Sequence, residues 1–231
     1  TYEQLRSYYS VLPLTGRIDG LIIMSLPFDE ADEERFISRS LPVVSLEFSR
    51  PQFSSIVIDN RQGGAMAADH LFEQGYRKLA FMGDSGQPTY SLHATEERLE
   101  GFRSRAETLG CPLEERFIKF HEYGILPTKA CALDMLSASD RPDAVFCASD
   151  LQALGVMKAV RELKMRIPED IAVLGFDDID AAEYVDLTTI SQSLDHSGEL
   201  AARKLLEHME NRESPSTRVH LNLRLIKRHT T

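Results

Sequence analysis

The sequence contains little that would suit a membrane protein, a secreted disulfide-bonded protein or a nucleic-acid-binding domain. No apolar run approaches roughly 18 residues, so we expect no membrane span. The three cysteines, Cys111, Cys131 and Cys147, show no metal-ligand spacing such as CxxC, which indicates free thiols in a reducing compartment. The 26 Lys and Arg residues are outnumbered by 36 Asp and Glu, whereas phosphate binding needs clustered basic residues. These absences predict a soluble, cytoplasmic protein that does not itself grip nucleic acid.

Motifs of common enzyme classes are also missing. Neither GxGxxG nor GxxxxGK[ST] occurs, so Gly63–Gly64 near a helix start is weak support for a phosphate site. Ser85 lies in a GDSG stretch, but no His and Asp partners for a nucleophilic serine can be located. Four histidines without metal-ligand spacing are interpreted as surface or hydrogen-bonded residues: His70, His93, His121 and His196. We therefore predict no enzyme, no metal and no cofactor.

What the sequence does contain is a regular alternation of short apolar runs and longer stretches of helical period. Apolar residues make up 42% of the chain, as in an ordinary globular protein. Strands are predicted over 19–26, 42–47, 54–59, 78–83, 116–120, 144–149, 171–176 and 218–226. Helices are predicted over 29–39, 60–74, 96–109, 127–137, 150–164 and 194–210. This pattern indicates a doubly wound α/β architecture with parallel sheet covered on both faces.

Polar side chains follow several of these strands. Glu47 ends one strand, Asp84, Ser85 and Gly86 follow another, Ser149–Asp150 a third and Asp177–Asp178 a fourth. In open α/β sheets, ligands bind outside the carboxyl ends of the strands. The collected hydrogen-bonding groups predict a polyhydroxylated ligand at this edge.

Each of these residues also has a purely structural interpretation. Asp150, and likewise Asp59 and Asn60, would cap the helices that they precede, and we favour that role for them. The Asp177–Asp178 pair would be a solvated strand end, which is about as well supported as ligand contact. Arg98 would form an exposed ion pair with a Glu on its own helix.

Several segments, in order and spacing, resemble the effector-binding part of the lac/gal repressor family of bacterial transcription regulators. The quoted segments are DGLII (19–23), LPVVSLE (41–47), DNRQGGAMAADHLFEQGYRKLAFMG (59–83), RLEGFR (98–103), RPDAVFCASDLQALGVMKAVRELKMRIPEDIAVLGFDDI (141–179), LTTISQ (187–192) and LRLIKRHTT (223–231). Together they cover nearly the whole chain.

The resemblance implies a periplasmic-binding-protein-like type I fold, with two Rossmann-like lobes, three crossovers and an effector held between the lobes. The amino-terminal lobe is expected over 1–59 plus 192–217, and the carboxyl-terminal lobe over 60–191 plus 218–231. Crossovers are expected near Asp59–Asn60, Ser191–Gln192 and Thr217. A helix-turn-helix headpiece is absent from this chain, and the amino-terminal lobe is expected to be incomplete, lacking two strands before Asp19.

The resemblance also implies a set of ligand contacts. Arg98 would reach the ligand's hydroxyls, and Asp177 would accept hydrogen bonds from them. Tyr123 would place its ring against the apolar face of a sugar, and Glu47 stands where the family often has Asp. Ser149 stands where the family usually has Asn, which leaves the effector's identity open. Gln192 is a further candidate.

The implied function is sensing of a small effector, a sugar, by a repressor that binds operator DNA as a homodimer through its headpiece. A periplasmic sugar-binding protein of a transport system shares the fold and is the alternative. An enzyme on a doubly wound sheet is a third, disfavoured possibility. The sequence leaves open whether the effector is a sugar or a purine, whether it induces or co-represses, which operator is bound, and whether dimers form tetramers.

Overall fold

A computed structural model describes residues 2–25, 28–84 and 93–231 of the chain. Leu26, Ser85 and Gly86, which entered the predictions above, lie outside these residues. The described chain alternates strands and helices as the sequence predicts, and it divides into two compact units.

Among the described residues, the first unit contains 2–25, 28–58 and Asp195–Leu221. Its sheet has the order β1-β2-β3-β9, in which all neighbouring strands are parallel. The strands are β1 (Leu21–Met24), β2 (Val43–Leu46), β3 (Ser54–Val57) and β9 (Arg218–His220), and the helices are α1 (Tyr2–Thr15), α2 (Glu30–Ser38) and α8 (Leu194–Glu210), whose first residue falls in the second unit.

The core of the first unit lies on both faces of its sheet. Val43 packs with Phe36 and Phe53 in one apolar cluster, whereas its neighbour Val44 packs with Ala201 of α8 in another. Because successive side chains of a strand point to opposite faces, a fully buried β2 requires cover on each face.

The second unit contains Asp59 to Asp84, His93–Leu194 and Asn222–Thr231 among the described residues. Its sheet has the order β10-β8-β7-β6-β4-β5. The strands are β4 (Leu79–Asp84), β5 (Ile118–His121), β6 (Ala144–Cys147), β7 (Ala172–Asp177), β8 (Thr188–Ser191) and β10 (Arg224–Ile226). The helices are α3 (Asn60–Glu73), α4 (Ala94–Thr108), α5 (Ile125–Ser137), α6 (Asp150–Glu162) and α7 (Asp180–Tyr184).

Strand β6 lies at the centre of this second core. Val145 joins the apolar cluster that contains Val156 of α6, while Phe146 points the other way. The centroid of the Phe146 ring lies 5.6 Å from that of Phe81, in an edge-to-face arrangement, and 5.0 Å from that of Phe102 of α4. The sheet is therefore covered on both faces, and the predicted α/β class is confirmed.

The carboxyl-terminal part of the chain departs from the prediction. The single strand predicted over 218–226 is wrong, because it consists of β9 and β10, which pair in different sheets. β10 runs antiparallel to β8, so the second sheet is not wholly parallel. Because β9 pairs with β3 of the first unit, the unit boundary lies after Leu221 and not at the predicted Thr217. The boundary predicted at Ser191–Gln192 lies after Leu194. Strand β8 and helix α7 were not predicted.

Across the described residues, none of the helices is long and apolar enough to cross a membrane.

Candidate functional site

Arg98 is a buried cation at the carboxyl edge of the second unit's sheet. Its side chain projects from α4, and the residue is only 7% exposed. The Nε group donates to Asn60 Oδ1 at 2.9 Å, and Nη1 donates to the Ala148 carbonyl, just beyond β6. The guanidinium lies 3.6 Å from the centroid of the Phe176 ring, a cation–π contact. The exposed ion pair on the helix face is therefore the wrong interpretation of this residue.

Asp177, at the end of β7, forms an ion pair with this guanidinium. Its Oδ1 lies 3.6 Å from Arg98 Nη1 and accepts a hydrogen bond of 2.6 Å from Gln192 Nε2. Gln192 follows β8, the neighbour of β7, and is buried. The structure thus brings together three of the predicted residues, from α4, from the end of β7 and from the residue after β8, with Asp177 in contact with both of the others.

The backbone at Asp177 is held in an unusual conformation. Asp177 has φ +115° and Asp178 has φ +63°, in the region that L residues rarely adopt. Such strain persists only where the surrounding structure enforces it, and it is concentrated at functional sites. Asp178 points to Arg228, whose Nη2 donates to Asp178 Oδ1 at 2.8 Å. The two aspartates thus have different partners, Gln192 for Asp177 and Arg228 for Asp178.

The predicted cap of α3 by Asp59 and Asn60 is confirmed for Asp59 and wrong for Asn60. The cap of α3 is Asp59, whose Oδ1 accepts from the Gln62 amide at 2.9 Å. Asn60 is the first helical residue, and its side chain accepts from Arg98 and donates to Glu97 Oε2 at 3.2 Å. It thereby orients the guanidinium, a role that no motif in the sequence signals.

Gly63 and Gly64 allow close packing and do not form a phosphate cradle. A Cβ on Gly64 would lie 2.0 Å from the Arg98 carbonyl oxygen, and one on Gly63 would lie 2.6 Å from the Phe176 ring. The two glycines let α3 approach both α4 and the Phe176 ring on which Arg98 stacks.

Ser149 caps α6, the role that was predicted for Asp150. Its Oγ accepts from the Gln152 amide at 3.3 Å and donates to Gln152 Oε1 at 3.2 Å. Tyr123, after β5, is 55% exposed; burial of part of the ring raises the pKa of its hydroxyl, which a hydrogen bond with Ser149 partly counteracts. Ser149 and Tyr123 are thus linked, so that two more predicted residues meet in this unit.

Asp150 does not cap its helix. The residue is fully buried; its Oδ2 accepts from the Ile179 amide at 2.9 Å, and its Oδ1 accepts from Thr189 Oγ1 at 2.6 Å. Burial raises the pKa of this carboxyl group to about 6, although both hydrogen bonds lower it.

Glu47 belongs to the first unit, where it follows β2. It has φ +73°, its amide donates to the Ile56 carbonyl at 2.9 Å, and its carboxylate accepts a short hydrogen bond from Ser25 Oγ. Its predicted role in ligand binding stays a prediction.

No group of three or more His, Cys, Asp and Glu side chains that could hold a metal ion occurs among residues 2–25, 28–84 and 93–231. Of the four histidines discussed above, His70 is buried and its Nε2 lies 2.8 Å from Thr231 Oγ1. Burial, followed by the charge of Lys227, lowers the pKa of His70.

Residues 68–231 match the family described as "Periplasmic binding protein-like domain". The protein of Vibrio vulnificus named HTH-type transcriptional repressor PurR is 31% identical over 234 residues, which span 99% of this chain and 69% of that protein. The repressor of the same name from Escherichia coli O1:K1 is 30% identical, over 99% of this chain and 67% of that protein.

Solved structures agree with these relatives. A complex of the transcriptional regulator CelR with cellobiose is 28% identical, with a TM-score of 0.83, over 100% of this chain and 70% of that one. A LacI family transcriptional regulator from Enterococcus faecium with bound ribose is 26% identical, with a TM-score of 0.86, over 97% of this chain and 83% of that one.

The sequence match, the fold and the relatives' shared description agree with the resemblance drawn from the motifs. This chain belongs to the LacI family of transcription regulators and carries its periplasmic-binding-protein-like domain.

Proposed function

We propose that this chain is the effector-sensing part of a bacterial transcription regulator and that its effector is a sugar. The observation that carries the proposal is the contact of Arg98, Asp177 and Gln192 at the carboxyl edge of the second unit's sheet. Relatives described with bound cellobiose and ribose support the same ligand class.

The chemistry of these three side chains suits a ligand rich in hydroxyl groups. A sugar hydroxyl both donates and accepts, so it needs a donor and an acceptor close together. Arg98 supplies a planar fork of donors, already oriented by Asn60 and stacked on an aromatic ring. Asp177 supplies the acceptor. Burial strengthens these charge-assisted hydrogen bonds relative to the same groups in water.

The other predicted contacts extend this proposal. Tyr123 offers a half-exposed aromatic ring that suits the C–H face of a sugar, and Ser149 offers a hydroxyl at the start of α6. Glu47, in the first unit, offers a carboxylate.

Regulation requires that effector binding change the affinity for operator DNA. We propose that the effector favours one of two states of a homodimer, a coupling of typically about 1–3 kcal/mol, and that DNA is bound through a headpiece outside this chain. Such a regulator acts in the cytoplasm and needs no catalytic residue. The relatives are transcription regulators, which favours this role over sugar transport or catalysis. Analytical ultracentrifugation with and without the effector tests the dimer.

Ligand binding is tested by thermal unfolding and calorimetry with a panel that includes D-ribose, cellobiose, other sugars and purines. A ligand at 100 times its Kd should stabilise the protein by about 2.7 kcal/mol. We expect a sugar to bind, and we expect Arg98→Lys and Asp177→Asn to weaken its binding by at least about tenfold, because each removes one charge-assisted hydrogen bond or its fork geometry.

The matched control is Arg105→Ala, since Arg105 lies on the same helix but pairs with Asp69 at the surface. This variant should retain the native Kd. Unchanged sugar affinity in both Arg98→Lys and Asp177→Asn would refute the site, and binding of purines alone would refute the ligand class.

A further inference from the structure

Asp150 is a buried carboxyl group with no place in the proposed ligand contacts. It touches the backbone of the turn that follows β7, through the Ile179 amide, and the side chain of Thr189 on β8. A charged or polar group without access to water must be hydrogen-bonded, and here both carboxyl oxygens are.

The turn that Asp150 contacts is the strained one. Asp177 and Asp178 both have positive φ, and Ile179 follows them directly. L residues return to commoner conformations unless neighbouring groups hold them. The side chain of Gln192 donates a hydrogen bond to Asp177, and that of Arg228 donates one to Asp178. Asp150, by contrast, contacts the backbone of the turn, because its carboxylate accepts a hydrogen bond from the Ile179 amide.

The sheet leaves space for this carboxyl group. A Cβ on Gly175, in the middle of β7, would lie 2.2 Å from Asp150 Oδ1 and 2.9 Å from Leu187 Cδ2. A side chain at position 175 would therefore displace the carboxyl group, and only a glycine at this position leaves room for Asp150.

We propose that Asp150 is a positioning residue for the effector site: it fixes the turn over 177–179 and thereby aims the Asp177 carboxylate at Arg98 and Gln192. This inference rests on the proposed function only in that Asp177 is taken to contact the effector.

The proposal does not depend on the charge of Asp150. Burial raises its pKa to about 6, and the ionisable groups that face it are Asp178 and the buried Cys147 thiol. In either protonation state one oxygen remains to accept from the Ile179 amide. An asparagine retains such an oxygen as well, whereas an alanine leaves the amide without its partner.

The experiment compares Asp150→Ala, Asp150→Asn and native protein by ¹H–¹⁵N NMR in the absence of any ligand. We expect Asp150→Ala to shift the Ile179 amide, the Gln192 side-chain amide and the Arg98 Nε–H resonances, and Asp150→Asn to restore the last two close to their native positions. Asp143→Ala is the control, because Asp143 also accepts from two backbone amides, those of Arg77 and Lys78, at the opposite end of the sheet.

Native Gln192 and Arg98 resonances in a folded Asp150→Ala protein would overturn the proposal, as would equal shifts in Asp143→Ala. If Asp150→Ala does not fold, Gly175→Ala decides, because its added Cβ would lie 2.2 Å from Asp150 Oδ1 and displace the carboxyl group: the Ile179 amide and the Gln192 side-chain amide should then shift together. A Gln192 signal that does not follow Ile179 would overturn it. Because no ligand is present, these outcomes are independent of whether the proposed sugar binding holds.

Discussion

Replacing Asp150 with asparagine should change how the stability of this protein depends on pH. The carboxyl group is fully buried, and burial raises its pKa from the ordinary 3.8 to about 6. Hydrogen bonds from Thr189 and from the turn amides oppose that rise without cancelling it. An asparagine has nearly the same shape and cannot ionise, so the variant isolates the ionisation from the packing.

The sign follows from the protons that each state binds. Below about pH 4 the carboxyl group is protonated in both the folded and the unfolded state, and its ionisation does not change the free energy of unfolding. Between about pH 4 and 6 the unfolded chain releases the proton first, so the folded state binds more protons and the free energy of unfolding falls as pH rises. Above about pH 6 both states have released the proton, and the free energy of unfolding falls no further on account of this group. A pKa raised from 3.8 to about 6 corresponds to about 3 kcal/mol.

Urea denaturation at several pH values between about 4 and 8 measures this effect. The unfolding free energy of Asp150→Asn minus that of the native protein should rise by about 3 kcal/mol across the window, whatever constant offset the altered hydrogen bonds introduce. The hydrogen bond from Thr189 lowers the pKa of Asp150, so Thr189→Val should raise that pKa further. The pH range over which the free energy of unfolding falls should then extend to higher pH. A difference that is independent of pH would refute the raised pKa.

Two further outcomes are expected. Gly64→Ala should destabilise the protein by about 1–3 kcal/mol or more, since its Cβ would lie 2.0 Å from backbone oxygen. Gly198 lies on α8, where an added Cβ would lie in open space, so Gly198→Ala should stabilise the protein by about 0.5–1 kcal/mol. Equal urea midpoints for Gly64→Ala and Gly198→Ala would contradict the close packing of α3 against α4. Burial raises the pKa of all three thiols; we expect a thiol reagent to modify half-buried Cys131 first, and Cys111 and Cys147 only on unfolding. Rapid modification of all three in the folded protein would contradict this.

The order of the elements from β1 to β7 followed from local sequence. Short apolar runs gave β1 through β7, apart from β5, which begins two residues later than predicted after a turn of 3₁₀ helix over Glu115–Phe117. Gly75, with φ +96°, and Gly110, with φ +78°, stand just after α3 and α4, as expected of residues that end helices. These features depend on periodicity and on single-residue conformational preference, which the chain carries locally.

The chain after β7, apart from α8, was harder to predict because its structure depends on partners distant in sequence. The apolar alternation over 218–226 is the same in β9 and β10, and only their pairing, with β3 and with β8, assigns them to different sheets. α7 has only five residues, and β8 is rich in threonine, so neither carries a strong periodic signal.

The candidate site shows the same division. That Arg98, Asp177 and Gln192 are polar residues near strand ends, and that they match a family's ligand contacts, was visible in the sequence. That Asn60 orients the guanidinium and that Asp150 supports the turn after β7 were decided by burial and by hydrogen bonds between residues up to 39 positions apart. The hydrogen bond by which Ser149 caps α6 is local, because Gln152 lies only three residues further on. Local sequence determined which residue types reach the sheet edge, whereas tertiary packing decided which of them contact one another, because a buried polar group must find its partner wherever the fold supplies one.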